Sequence, residues 1–556
     1  MIGRGILLVV IGPILIGLIG AVLPALGYFP PLGGDHFSLA PMQDFLALPQ
    51  LWRSIGLSLF TGLVATVIST IIALILPGLL YGRKSFHLLR RYLAPILSLP
   101  HVTVAVGIFF LLQPSGWLMR IISPGLTGYT LPPIWALVPD PWGMGLVLGL
   151  VAKEVPFLIL MTLAAMSQIN TAPLLTVSRS LGYGPLASWI YVIIPQLWPR
   201  LRLPVMIVLV FSLSVVDMAV ILAPTTPPPL AVRLITLYQD PDLTVRFTAS
   251  VAAMAQVVLV LVSIAVMMAG ARVLAWLGRM AAVSGYRSSP PRALARFIID
   301  PALVVTSVVP CLAAVAGLLA AMLWSIAGVW RFPSAWPSAF TLRFWSGVVD
   351  GFGDAVLVTA GLGFASAALA VVLVVMWLNA EDHRPKSSSE HLLVLPLMIP
   401  QVGFLFGLQI MLLWLRLDGT TMALVYAHLL FVLPYVWLSL APAWREFRPE
   451  WLHLGASLGA SPLKRFFRIR LPILIMPILT SFAVGFSVSA ALYLPTVFAG
   501  NGRVTTLTVE AVTLASGASR AQLGVATGLQ MALPLVVFVM AGILARQRPA
   551  RISYFS

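Results

Sequence analysis

Long runs of apolar residues follow one another along the chain and are separated by shorter polar connections. An α-helix rises about 1.5 Å per residue, so roughly 20 apolar residues cross the ~30 Å hydrocarbon core of a bilayer. The pattern therefore predicts an all-α, polytopic membrane protein with about 12 transmembrane helices. The predicted spans are approximately 6–28, 55–80, 92–112, 142–166, 203–223, 248–275, 301–327, 353–378, 392–415, 421–444, 472–497 and 522–545.

The composition supports this fold class. Of the 556 residues, 60% are hydrophobic and 9% are charged, and the mean hydropathy is +1.00. A soluble globular protein has about a quarter of its residues charged, so the composition excludes that class. Cys311 is the single cysteine, which excludes a disulfide framework within the chain.

The basic residues are distributed unevenly between the two sides of the membrane. An even number of spans places both termini on one side, and 24 of the 34 Lys and Arg residues fall on that side. Nine lie on the opposite side, and Lys153 lies within a span. The positive-inside rule places both termini in the cytoplasm. The net charge of +17 is thus a feature of the inner face, and we expect no nucleic-acid partner.

A segment of the first half recurs in the second half. LGYGPLASWIYVIIP at 181–195 matches LGASPLKRFFRIRLP at 458–472, and one glycine and two prolines recur after 277 residues. The pairs are Gly182 and Gly459, Pro185 and Pro462, and Pro195 and Pro472. Coincidental apolar similarity would not preserve this spacing.

A second match, between 99–113 and 395–409, has an offset of 296 residues, so the first half carries about 19 extra residues in loop 113–141. The pattern predicts two parallel repeats of six helices each, related by a pseudo-two-fold axis along the membrane normal. The predicted parts are a first repeat 1–276, a cytoplasmic linker 277–300 and a second repeat 301–556.

Each matched segment predicts a short helix, a glycine turn and a second short helix that ends at a proline before the next span. The loops extend over 170–200 and 445–475; Trp189 and Phe466 lie on the apolar stripe of their second helices, and Ser461 is placed to cap its helix. The cations of the second copy are absent from the first, so binding to lipid headgroups explains one copy only. The shared features suit docking into the groove of a partner.

At these residues the chain resembles the inner-membrane permeases of binding-protein-dependent ABC importers. Their loop reads approximately EAA, two residues, LG, about nine residues, and then Ile or Val, any residue and Leu-Pro. Both copies reproduce the LG and the final proline, but Thr176-Val177-Ser178 and His453-Leu454-Gly455 stand at the EAA positions, so the glutamate is missing. The fused arrangement is most similar to type I permeases of the thiamine and ferric-iron branch.

The resemblance implies that the loops are coupling helices that dock on ABC ATPase subunits, with two copies expected. It implies this role for Gly182, Pro185, Trp189 and Pro195, and for Gly459, Pro462, Phe466 and Pro472. It also implies a periplasmic or extracellular solute-binding protein as partner and the bacterial inner (plasma) membrane as location. No phosphate-loop motif occurs, so ATP hydrolysis is expected in a separate polypeptide. We expect no catalytic residues, metal or cofactor in this chain.

Four of the ionisable residues within the predicted spans are singled out as functional candidates. Ionisable groups in hydrocarbon are costly and are functional candidates, so Lys153, Glu154, Asp217 and His428 are candidates for the solute path. A contact between Lys153 and Asp217 is possible, and structural pairing between helices is the alternative to a path.

Two other functions compete with an ABC permease. A twelve-span secondary transporter driven by an ion gradient shares the span number and the parallel halves, but does not explain the duplicated glycine turns. A membrane scaffold without transport explains the repeat but not the polar groups within spans. Co-purification with an ATPase would separate the first function from both.

Overall fold

The computed structural model describes residues 2–82, 86, 99–284, 300–382, 392–517 and 519–546. Within these ranges the regular structure is helical, and the only β-type contacts are two isolated bridges. Ten helices are long and apolar enough to cross a membrane, and the number becomes 12 if each of two bent helix pairs is one span. The prediction of a polytopic, all-α membrane protein is confirmed.

The first half contains six spans and several short helices. The spans are Ile2–Ala25, Leu51–Leu80, His101–Leu112, Met144–Met166, Ile194–Ser214 continued by Asp217–Leu222, and Val245–Val283. The short helices are Pro30–Leu32, Ala40–Leu46, Trp117–Ile122, Thr171–Ser180, Pro185–Ser188, Trp189–Ile193 and Leu230–Tyr238. The predicted start of the third span, 92–98, lies outside the described residues.

The second half follows the same order. Its spans are Asp300–Ser325, Val348–Glu381, Leu395–Met398 continued by Gln401–Trp414, Thr421–Arg445, Ile475–Ala491 continued by Leu494–Gly500, and Arg520–Arg546. Its short helices are Arg343–Ser346, Glu450–Ser457, Pro462–Arg465, Phe466–Arg470, Leu471–Ile473 and Leu507–Ala515. Most of the predicted linker, residues 285–299, lies outside the described part of the chain, so the domain boundaries stay a prediction.

The ninth span is sharply bent. The chain bends by 106° between its two helical parts, and Pro400 directly precedes the second part, with Ile399 in an extended conformation before it. Proline has no N–H to donate and pushes the preceding residue out of the helical region. Pro100 stands in the same place before the third span. Paired prolines thus set the start of these two helices.

The fifth and eleventh spans are interrupted, where the sequence predicted continuous helices over 203–223 and 472–497. The chain is extended at Val215 and at Leu492, and a new helix begins two residues later in each case. The prediction of continuous spans was wrong, and it failed because it relied on hydropathy. The residues at both breaks are apolar. Hydropathy therefore shows no interruption there.

The two halves are interlocked by close helix crossings. The first span of each half packs against the third span of the other half. Gly17 meets Gly407 at one crossing and Gly317 meets Gly107 at the other, and a Cβ atom at Gly407 or Gly317 would overlap the facing backbone. The residues of the two contacts are displaced by 300 residues, so the structure shifts the register of the third and ninth spans by four residues from the 296-residue offset that the sequence predicted. Glycine permits this backbone approach, and each half completes the packing of the other.

A buried hydrogen bond is also duplicated. The Leu230 N–H donates to Ser58 Oγ at 2.8 Å, and the Leu507 N–H donates to Thr359 Oγ1 at 2.9 Å. In both halves a hydroxyl of the second span satisfies the first N–H of the short helix that follows the interrupted span. The repeat therefore extends from the sequence to individual buried contacts.

Candidate functional site: two coupling loops and a polar cluster

Both loops have the same backbone path, a helix followed by a left-handed glycine turn and a second short helix. The φ angle is +88° at Gly182 and +77° at Gly459. The N–H after each turn bonds back across it: Tyr183 to the Ser178 carbonyl at 3.2 Å, and Ala460 to the Gly455 carbonyl at 2.9 Å. These bonds form the Schellman motif, in which glycine adopts the left-handed conformation at low cost.

The second helix of each loop begins at a proline and widens before the next proline. Pro185 and Pro462 occupy the first turn, where a missing N–H costs nothing. The Lys464 N–H donates to Ser461 Oγ at 3.4 Å, so the predicted cap is present. A π-helical turn then precedes Pro195 and Pro472 in the two copies, and such turns commonly accompany bends.

The outward surface of the loops carries apolar side chains at matching positions. The exposed fraction reaches 86% at Leu458 and 59% at Phe467. Exposed apolar residues of the first loop precede those of the second by 277 residues; the pairs are Val177 and Leu454, Leu181 and Leu458, and Ile190 and Phe467. The duplicated exposed feature is therefore apolar, whereas the exposed cations Lys464 and Arg468 occur in the second copy only.

The first loop is held against the second span by Trp189. This side chain is 2% exposed, and its indole N–H donates to the Leu74 carbonyl at 2.7 Å. A Cβ atom at Gly78 would overlap the ring, so the absence of a side chain there creates the space for the indole. Trp189 is thus turned away from any docking partner and anchors the loop.

The second loop is held by an arginine at a different position. Arg470 is buried and lies 2.5 Å from the Asp382 carboxylate at the end of the eighth span. Its guanidinium also stacks 4.0 Å from the centre of the Trp444 ring. Phe466, which is the second-loop counterpart of Trp189, is only partly buried. Nothing in the sequence singles out Arg470 apart from its alignment with the apolar Ile193.

A cluster of ionisable side chains lies where two helices of the first half begin. Lys153 donates to the Leu99 carbonyl at 2.5 Å, and Glu154 Oε1 lies 3.7 Å from His101 Nε2. His101 and Asp217 are the first residues of helices that begin after a break, and the two side chains interact electrostatically. The breaks thus bring side chains from three spans together.

This polar cluster faces the second half. Glu154 is within electrostatic reach of Tyr435, and Asp217 is within reach of Tyr493. The Lys153 ammonium reaches the Leu99 carbonyl, and the contact between Lys153 and Asp217 that the sequence allowed stays a prediction. The sequence analysis also missed His101, because it assigned this residue to the interior of a continuous apolar span.

Comparison with known proteins gives two similar permeases, and no family model matches the chain. The Inner membrane ABC transporter permease protein YnjC of Escherichia coli (strain K12) is 28% identical over 509 residues, which are 92% of this chain and 91% of the relative. The Putrescine transport system permease protein PotI of the same organism is 24% identical over 214 residues, 37% of this chain and 75% of the relative.

The chain is a fused ABC transporter permease. The match to a permease of nearly equal length supports this function over an ion-driven secondary transporter. The apolar helices and the inner-membrane relative make the permease a multi-pass inner-membrane protein.

His428 has a different environment in the permease from the other three candidates. Its ring nitrogens lie 2.7 Å from Ser489 Oγ and 3.0 Å from Thr496 Oγ1, and Ser366 Oγ donates to Ser489 Oγ at 3.0 Å. Both ring nitrogens have partners, so this network ties the tenth span to both parts of the eleventh. The geometry supports structural pairing for His428, and the structure does not bring it into the polar cluster.

Proposed function

We propose that this permease imports a solute through a path between its two repeats, 1–276 and 301–556, and that two separate ATPase subunits drive the import. One subunit docks on each of the loops 170–200 and 445–475. The observation that carries this proposal is the duplicated loop, with a left-handed glycine in the same turn and exposed apolar residues at the same positions. A surface that occurs twice at opposite places in a pseudo-symmetric chain fits a partner present in two copies.

Docking without the usual glutamate relies on apolar contact. Leu454, Leu458 and Phe467 are exposed at the second loop, and their first-loop counterparts are exposed in the same way. Removal of apolar surface from water contributes about 25 cal/mol per Å², so a handful of large side chains supplies several kcal/mol of gross association energy. The two glycine turns hold these side chains in fixed positions, which lowers the entropy cost of docking.

The loops and both termini face the cytoplasm in this proposal, because most Lys and Arg residues lie on their side of the membrane. A solute-binding protein then delivers the solute to the opposite face. ATP binding and hydrolysis rock the two halves between states that are open to one side or the other.

The polar cluster is the proposed part of the solute path. His101 and Asp217 begin helices, and Glu154 of the fourth span lies beside His101. Glu154 and Asp217 are within electrostatic reach of Tyr435 and Tyr493 of the second half, as expected for a path between the halves. Lys153, next to Glu154 in the same helix, is included in this path. His428 is assigned a structural role instead. The resemblance to the thiamine and ferric-iron branch supports a thiamine-like molecule or ferric iron as solute, and the relative PotI is named for putrescine.

Substitution of Gly459 by valine tests the docking proposal. No atom lies within 4 Å of a Cβ atom at this position, so the substitution acts through the left-handed backbone rather than through a clash. A β-branched residue is a genuine outlier at positive φ, and the turn must change shape. We expect normal membrane insertion and a several-fold loss of vanadate-sensitive ATP hydrolysis that co-purifies with the permease.

Gly502 provides a matched control. It also has a positive φ angle, +73°, and open space around its Cβ position, but it lies at the far end of the interrupted eleventh span from the loop. The Gly502→Val substitution should therefore leave co-purifying ATP hydrolysis unchanged. Equal co-purification of the wild type and the Gly459→Val variant would contradict the docking role of this loop.

A further inference from the structure

One connection on the face opposite the coupling loops carries exposed apolar side chains. It joins the third span to the fourth and is longer than its counterpart in the second half. Ile134 is fully exposed, and the exposed fraction is 86% at Leu126 and 74% at Leu131. We call residues 123–137 the apolar loop. Proteins rarely leave large apolar surfaces in water, so the apolar loop indicates a partner that covers it.

The apolar loop also differs in charge from the other connections on its face. No charged residue occurs from 121 to 139. The corresponding connection of the second half, 415–420, is short and contains Arg416 and Asp418. Charged residues also occur in every other connection on this face, namely 26–50, 223–244, 326–347 and 501–519. The connections of this face therefore carry charge as a rule, and the apolar loop is the exception among them.

The chain that follows the apolar loop is fixed at the start of the fourth span. The Asp140 carboxylate accepts the N–H groups of Met144 and Gly145, each at 2.9 Å. Val138 is buried, and a Cβ atom at Gly145 would overlap its side chain. The fourth span has 23 residues, which rise about 34 Å and cross the hydrocarbon completely. Met144 therefore lies at the membrane boundary, and the apolar loop ends there.

The tip of the apolar loop lies close to the same boundary. Trp135 and Leu137 line an apolar cavity of about 60 Å³. Leu111 and Leu112, the last two residues of the third span, line the same cavity. Ile134 directly precedes Trp135, so it lies near the ends of two spans and points away from the protein. The apolar loop therefore stays at the level where the spans end.

The aromatic residues of the apolar loop are typical of a membrane interface. The Trp135 indole N–H donates to the Tyr129 hydroxyl at 3.2 Å, and both side chains are exposed. Tryptophan and tyrosine combine an apolar ring with a polar group, and they are enriched where the hydrocarbon meets the lipid headgroups. The pair thus indicates lipid as the partner.

The short helix before the apolar loop, Trp117–Ile122, extends the apolar surface. Leu118 and Ile121, which are three residues apart, are both exposed. Arg120 of the same helix is buried, and its guanidinium lies 4.7 Å from the ring centre of Trp330. The helix therefore turns its cation toward the protein and its apolar side chains outward, which is the reverse of a helix that faces water.

We propose that the apolar loop inserts its side chains into lipid at the membrane boundary opposite the coupling loops. The backbone of the loop is irregular, and N–H and C=O groups without partners are too costly in hydrocarbon. The backbone therefore lies among the headgroups, while Leu126, Leu131 and Ile134 reach the acyl chains. The bilayer thus holds the first half where the second half has a short, charged connection. This inference does not depend on the proposed function.

Nitroxide spin labels on cysteine variants of the full chain in lipid nanodiscs test the insertion. Ile134→Cys is labelled in a chain with Cys311→Ala. We expect the label to collide several-fold more often with oxygen, which dissolves in lipid, than with a water-soluble nickel chelate. Leu312→Cys, exposed in the middle of the seventh span, is the lipid reference. Asp35→Cys, exposed on the same face as the loop, is the water reference. Leu131→Cys repeats the measurement at a second position of the loop.

A second measurement gives the depth. A bimane fluorophore at Ile134→Cys should be quenched most by lipids brominated near the headgroup, and one at Leu312→Cys by lipids brominated deep in the acyl chain. Collision rates at the loop equal to those of Asp35→Cys, or a lack of quenching by either lipid, would overturn the insertion, because the loop would then face water and suit a protein partner such as a solute-binding protein. Low collision rates with both reagents would overturn it as well, because protein would then cover the loop.

Discussion

The two coupling loops share a backbone path but are anchored by different chemistry. In the first loop the indole of Trp189 fills the space above Gly78 and donates to a backbone carbonyl. In the second loop Arg470 pairs with Asp382 and stacks on Trp444. The position equivalent to Arg470 is Ile193, which is fully buried. The turn geometry is thus the same in both copies, whereas the contact that anchors the loop to the neighbouring span differs between them.

The difference has a consequence for salt dependence. Trp189 is held by packing and a neutral hydrogen bond, which ionic strength hardly affects. The Asp382 side chain is 36% exposed, so salt screens its interaction with Arg470. We therefore expect the two loops to respond differently to salt although their backbones are alike.

The largest effect is expected from removal of the apolar anchor. Trp189→Ala creates a cavity beneath the first loop and removes the bond to Leu74, and truncation of a buried tryptophan costs about 3–5 kcal/mol. Hydrogen–deuterium exchange should show faster exchange of the amides of 171–193 and no change in 450–473. The matched control Ile190→Ala removes an exposed neighbour and should leave exchange unchanged. Equal protection in the wild type and the Trp189→Ala variant would show that the indole is not the anchor.

A smaller effect is expected when the ionic anchor is replaced by its first-half counterpart. Arg470→Ile introduces the apolar side chain of the first-half counterpart and leaves Asp382 without its cation. The expected cost is about 1–2 kcal/mol for a partly exposed charged pair. Amides of the second loop should exchange faster, and their exchange should lose its dependence on salt between low and high KCl. Arg468→Ala, at an exposed position, serves as the control. Salt dependence that persists in the Arg470→Ile variant would contradict the ionic anchor.

The smallest effect concerns the caps of the second short helices. Ser461 caps its helix through its side chain, whereas Gly184 has none at the same place in the first loop. Ser461→Ala should therefore destabilise the second loop by about 1 kcal/mol, and Gly184→Ser should stabilise the first by a few tenths. The exchange rates of the amides directly after each cap measure both changes. Changes in exchange rate of the same sign in the two variants would contradict a capping role at these two positions.

The polar groups show how far the sequence could predict the site. Lys153, Glu154 and Asp217 stood out because charge is rare in apolar spans, and the structure brings them to one region with His101. His428 stood out for the same reason, but hydrogen bonds to hydroxyls satisfy it elsewhere. A charge in a span indicates that a partner exists, but the identity of that partner depends on helices distant in sequence.

The sequence by itself determined the spans, the duplicated halves and the glycine turns. These features depend on local properties, namely apolar run length and the conformational freedom of glycine at two matched positions. Only the tertiary structure decided where spans break and which side chains anchor each loop. Those features depend on contacts between segments far apart along the chain. Apolar side chains on both sides of a break, or a tryptophan facing a distant glycine, leave no local signal.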